Sequence, residues 1–126
     1  MISSIFNYLI KSLNVKLRAT RRDYWSFQAI NIPLILFCMY FFRYSYNFPH
    51  NYFFFHIFPH LLIVYILISS ILSLTLTAKR LQDIGHSGWL TLAQFIPYFN
   101  IIIFLAMFFK GDVGDNKFGH DPRLKD

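Results

Sequence analysis

Arg80 and Asp83 stand three residues apart in this 126-residue chain, and His86 follows three residues later. An arginine and an aspartate at that spacing on a helix are close enough to pair. An aspartate near a histidine is also what proton transfer would use. A second cluster, Lys16, Arg18, Arg21 and Arg22, runs directly into Tyr24 and Trp25, and guanidinium groups suit phosphate and carboxylate ligands. His50, His56 and His60 invite a metal reading, because the last two are one helical turn apart. Asp112, Asp115 and Asp121 are spaced among the glycines of the C-terminal segment and hint at calcium.

The residue inventory separates these chemistries. Zinc sites take three or four ligands, usually with Cys or carboxylate help. No acidic residue occurs between Tyr24 and Gln82, and Cys38 is the single cysteine. The aspartate ladder of a helix–loop–helix calcium site is absent. Asp83 and His86 have no accompanying nucleophile, metal cluster or phosphate-cradling loop, so a membrane enzyme acting on lipid-linked substrates is the weakest of three functional readings. The sequence therefore predicts no catalytic, cofactor-binding or metal residue. It nominates Arg18, Arg21, Arg22, Arg80, Asp83 and Asp121 as contacts to anions, lipids or a partner. The arginines would hold phosphates or carboxylates, Asp83 would orient Arg80, and Asp121 would serve as counter-charge.

The elements that must position these residues are apolar. Residues 24–42, 57–77 and 89–109 contain no Lys, Arg, Asp or Glu, and each is about the twenty residues that a helix needs to cross a bilayer core. The composition is 56% hydrophobic, above the roughly half or less of a soluble domain. A chain this small could not bury three such runs in one aqueous core. The expectation is one integral membrane domain over residues 1–126, all-α: an N-terminal amphipathic helix, three membrane-embedded segments and a Gly-rich polar tail over residues 110–126. The net charge of +6 comes from cations beside the apolar runs, where they orient the protein and meet anionic headgroups. Nucleic acid is not the expected partner.

Within residues 1–20, Ile2, Ile5, Phe6, Leu9, Leu13 and Leu17 recur at helical steps. Such a helix suits the membrane interface or packing on the protein's own cytoplasmic side. No cleavable signal is evident. Gln28 and Asn31 interrupt the first run and need partners from other helices, and Pro33 should bend it. Ser69, Ser73 and Thr77 share one face of the second, a packing surface whose hydroxyls could bond across to a neighbour. Gly85 and Ser87 mark a tight turn, as a left-handed cap and an N-cap. Pro97 leaves the third run either one kinked crossing helix, the default, or a re-entrant hairpin. The positive-inside bias puts the N-terminus and Lys79–Arg80 in the cytoplasm. A cytoplasmic tail, in which Asp115 or Asp121 could meet Arg80 or Arg22, requires the hairpin.

Arg21-Arg22-x-Tyr24-Trp25, then Ala78-x-Arg80-Leu81-x-Asp83-x-x-x-Ser87-Gly88-Trp89, then Pro97, then Gly111-x-x-Gly114-x-Asn116-x-Phe118-Gly119-x-Asp121-Pro122 occur in that order. The pattern resembles the small bacterial inner-membrane proteins grouped as domain of unknown function 805, from about residue 10 to residue 124. Two departures stand out. Val15-Lys16-Leu17-Arg18 replaces a Phe-x-Gly-Arg element, and Gln82 occupies a position that is often His. The resemblance implies a bacterial inner-membrane location and supplies no activity. The leading functional reading is a non-enzymatic multi-pass protein acting through anionic lipids, a protein partner or a second copy of itself. The alternative is a small oligomeric transporter or channel subunit, with Gln28, Asn31, Ser69, Ser73 and Asn100 lining its path.

Overall fold

The computed structural model describes residues 18–45 and 56–124, and they are helical with turns and no strand. Helix α1 is Arg21–Ser45 and α2 is Phe58–Asp83. A 3-10 helix follows over Gly88–Phe95, and a short helix α3 over Phe99–Ala106. The amphipathic helix expected over residues 1–20 lies outside the described residues except for residues 18–20, which are non-helical. His50 and most of the aromatic-rich loop also lie outside them.

The sequence explains where α1 starts. Thr20 and Asp23 form a reciprocal capping box: the Asp23 carboxylate accepts from the Thr20 N–H (2.9 Å) and hydroxyl (2.8 Å), and the Asp23 N–H donates to the Thr20 hydroxyl (3.2 Å). The helix continues through Pro33. Helix α2 takes Pro59 in its first turn, where a missing N–H costs little. At its other end the Gly85 N–H bonds the Gln82 carbonyl and the His86 N–H bonds the Leu81 carbonyl. That is a Schellman closure, with Gly85 in the left-handed region at φ 79°. At 25 and 26 residues, α1 and α2 are each about 38 Å long. Both are long and apolar enough to cross a membrane.

The third apolar run does not form the kinked crossing helix expected as default. Ser87 caps the 3-10 helix by accepting from the Trp89 N–H. That helix then stops at Ile96, whose φ −91° and ψ 125° are the extended conformation imposed on a residue before proline. Tyr98 turns the chain at φ 72°, and α3 begins at the next residue. Eight residues of 3-10 helix and eight of α-helix are about 16 Å and 12 Å long, each well short of a bilayer core. The Asp112 N–H donates to the Asp83 carbonyl at 2.7 Å. The run thus leaves the end of α2 and comes back to it.

The chain forms two compact units. One is Ser26–Ile71. In it Gln28 and Asn31 are buried as expected, and Asn31 Oδ1 accepts from the Tyr65 hydroxyl at 2.8 Å. Phe41 and Phe58 meet edge-on, 5.6 Å between centroids. Ser69 is buried, but its hydroxyl donates to the Ile66 carbonyl of its own helix. The other unit combines Met1–Trp25 with Leu72–Asp126. Thr77 there behaves like Ser69, donating to the Ser73 carbonyl. The apolar core of this unit is Tyr24, Leu81, Ile103 and Met107. Trp25 seats α3 through Phe104 and Phe108, at 5.8 and 4.6 Å between centroids.

Candidate functional site: an arginine–aspartate clamp

Asp83, the last residue of α2, is the centre of a buried ionic cluster. Its Oδ1 accepts from Arg18 Nε at 3.0 Å and lies 2.9 Å from Arg18 Nη2. Its Oδ2 accepts from Arg80 Nη1, the pair three apart that the sequence predicts. Arg123 Nη2 approaches Oδ1 at 3.5 Å. The side chains of Arg18, Arg80 and Asp83 are essentially inaccessible to solvent. Charges in such a place persist only if paired and hydrogen-bonded, and here most of the remaining donors are used on backbone carbonyls.

Those carbonyls belong to Phe109 and to the tail that follows it. Arg18 Nη1 donates to Gly114 O at 2.6 Å and Nη2 to Asp112 O at 2.6 Å. Arg80 Nη2 donates to Phe109 O, and Arg123 to the carbonyls of Gly111 and Asp112. Arg80 Nε has no partner among the described residues. Planar guanidinium forks are suited to gathering several carbonyls at once. Three of them convert a Gly-rich segment into an ordered loop fastened to the end of α2. Gly111 is required by close approach, since a Cβ there would overlap the Asp83 carboxylate.

The loop has its own polar framework. Asp121 accepts from Arg123 Nε at 2.7 Å, from the Arg123 N–H at 3.0 Å and from the Gly114 N–H at 2.9 Å. The Arg123 side chain, then its backbone N–H, hold the Asp121 carboxyl well below the usual carboxylate range. The reciprocal bond raises Arg123. Asp115 is lowered by the Asp121 N–H (3.1 Å) and then by the His120 ring (2.6 Å). Asn116 Nδ2 bridges Gln82 O and Asp112 Oδ2 at 3.0 and 3.1 Å.

The six nominated residues divide. Arg18, Arg80 and Asp83 meet directly, and Asp121 joins them through Arg123. The pairing of Asp121 or Asp115 with Arg80 or Arg22 is corrected: their ionic partners are Arg123 and His120, because a neighbour within the same turn costs less chain entropy than a distant one. Arg21 is exposed and donates to Phe108 O at 3.3 Å. Arg22, Lys110 and His86 are exposed as well, and the Asp83 carboxylate is already held by two guanidinium groups. Sequence reasoning missed Arg123, Asp112 and Gly111. The T-x-x-D box at Thr20–Asp23 was a readable signal for the start of α1, and with it for how near Arg18 sits to the helix end.

Residues 12–120 match the family described as Protein of unknown function (DUF805). The chain is 29% identical over 117 residues to inner membrane protein YhaI of Escherichia coli strain K12, covering 85% of this chain and 84% of that protein. YhaI of Escherichia coli O157:H7 matches to the same extent. No solved structure matches. With a match running from before Arg18 to His120, across most of the clamp, the chain belongs to the DUF805 family.

Proposed function

We propose that this chain is an integral, multi-pass protein of the bacterial inner membrane that acts by contact, without chemistry of its own, on anionic lipids or a partner protein. Helices α1 and α2 cross the bilayer, the 3-10 helix and α3 form a re-entrant hairpin, and the N-terminus and the tail lie on the cytoplasmic side. The inner-membrane assignment is supported by the relative named above. The re-entrant reading is supported by the Asp112–Asp83 backbone bond that brings the run back to its start.

The observation that carries the contact reading is the division of the cations. Arg18, Arg80 and Asp83 are consumed internally, so they hold a surface in place. Arg21, Arg22 and Lys110 remain exposed around it, with the Arg21–Phe108 bond placing the first turn of α1 beside the end of the hairpin. Each such cation contributes about 1 kcal/mol near an anionic surface, less after screening by salt.

The two tryptophans, Trp25 and Trp89, make the test direct. In vesicles mixing brominated phosphatidylglycerol with phosphatidylcholine, quenching should show a preference for the anionic lipid on the order of tenfold. The double variant Arg21→Gln/Arg22→Gln should bring it close to unity. Equal quenching by both brominated lipids in the native chain would sink the lipid-contact reading.

A further inference from the structure

Three buried polar atoms outside the clamp have no hydrogen-bond partner among the described residues: Oε1 of Gln82, Oγ1 of Thr91 and Nε2 of Gln94. Gln82 and Thr91 are 8% and 5% exposed. A 3-10 helix has three residues per turn, so Gly88, Thr91 and Gln94 stack in one row. Gly88 heads the row against α2: a Cβ there would lie 2.8 Å from Gln82 Nε2 and 3.4 Å from Ala78 Cβ. The other sides of the same helix carry Trp89, Leu90, Leu92 and Phe95, all exposed. The polar row is thus turned into the protein and the large apolar residues are turned out.

Buried polar atoms are ordinarily paired with protein or with ordered water, and leaving one dry carries its full desolvation penalty. We propose that the row formed by Gln82, Thr91 and Gln94 is a binding site for small neutral molecules that both donate and accept hydrogen bonds, occupied by water. The donor inventory selects this class. The occupant must accept from Gln94 Nε2, which a bare cation cannot do. It must also donate to Gln82 Oε1, which a fully ionised carboxylate cannot do. From Gly88 to Gln94 the row runs about 12 Å along the 3-10 helix, and the turn before it, at His86 and Ser87, is exposed. Water along the row would hydrate one side of the hairpin. Irregular backbone at membrane depth is tolerated when it lines such a space. The inference rests on the re-entrant reading above.

Substituted cysteines in the full chain in vesicles, on a Cys38→Ser background, test it with a small water-soluble methanethiosulfonate. The reacting species is the thiolate, which forms in water and is suppressed in apolar surroundings. Thr91→Cys and Gln94→Cys should react at least tenfold faster than Leu92→Cys, which faces outward. If all three are equally slow, the row is dry and the proposal is overturned while the hairpin remains in lipid. If Leu92→Cys is as fast as the others, the hairpin stands in water, and both the proposal and the re-entrant reading fall. Thr91→Val, with its near-native shape, gives an independent measure. A hydroxyl that binds water should lower the midpoint of unfolding in detergent when removed, whereas an unchanged or raised midpoint overturns the proposal.

Discussion

In the Ser26–Ile71 unit the buried side chains among the described residues are two amides and a hydroxyl, Gln28, Asn31 and Ser69, while Ile30 is 71% exposed and Leu36, Phe37 and Leu67 face outward with it. The other unit buries Arg18, Arg80, Asp83 and Asp121 beside Tyr24, Leu81 and Met107. Lipid is as apolar as leucine, so helices in it gain nothing from hydrophobic burial against one another and rely on packing and a few polar contacts. A charged cluster that ties down a glycine-rich loop works differently, since each ion depends on all the others. The first unit should therefore lose stability in small, separate steps, and the second in one large one.

Asp83→Ala sharpens that contrast most. It leaves the guanidinium groups of Arg18 and Arg80 buried without their shared carboxylate. Removing one partner of a buried ion pair costs about 3–5 kcal/mol. The expected readout is loss of amide-exchange protection over residues 110–124, with residues 26–45 keeping theirs. Equal loss in both stretches would mean that the two units respond as one, and the contrast would fail.

On the other side, Tyr65→Phe removes the hydroxyl that Asn31 accepts from. An interhelical bond of this kind in a membrane contributes about 0.6–2 kcal/mol. A double-mutant cycle with Asn31→Ala, read by reversible unfolding in detergent, should give a coupling within that range and leave tail protection untouched. A coupling as large as the Asp83 effect would place Asn31 in a cooperative network that the single bond does not suggest.

What the sequence made legible follows the same division. Two of the three apolar runs are the long helices, because twenty uncharged residues have few alternatives in a membrane protein. The turn at Gly85–Ser87 and the Arg80–Asp83 pair were readable, being local matters of spacing. The third run is ambiguous in sequence because Pro97 permits either a kink or a stop, and in the structure the 3-10 helix stops at Ile96. The sequence groups Arg18 with Arg21 and Arg22 in one cationic cluster, yet Arg18 is buried. Its partners are 65 and more residues away, beyond the reach of any periodicity argument. The lesson of Gly111 is similar: its missing Cβ matters only because a distant carboxylate lies against it.

The smallest effect expected is an acid dependence confined to the tail. Asp121 is held well below the usual carboxylate range by Arg123, and Asp115 is lowered by the Asp121 N–H and by His120. A carboxyl whose folded pKa lies below its unfolded value of about 4 stabilises the fold above that value, and the contribution is lost as pH falls through the folded pKa. Amide protection over residues 111–124 should thus be level from about pH 8 down to about pH 5 and should decline below about pH 4. Asp121→Asn keeps the shape but removes the charge facing Arg123. Its tail should be less protected at neutral pH, and the decline in acid should be shallower because one of the two linked carboxyls is gone. A decline as steep as in the native chain would assign the acid sensitivity to Asp115 and its His120 contact instead, and would separate the loop's own framework from the clamp that fastens it.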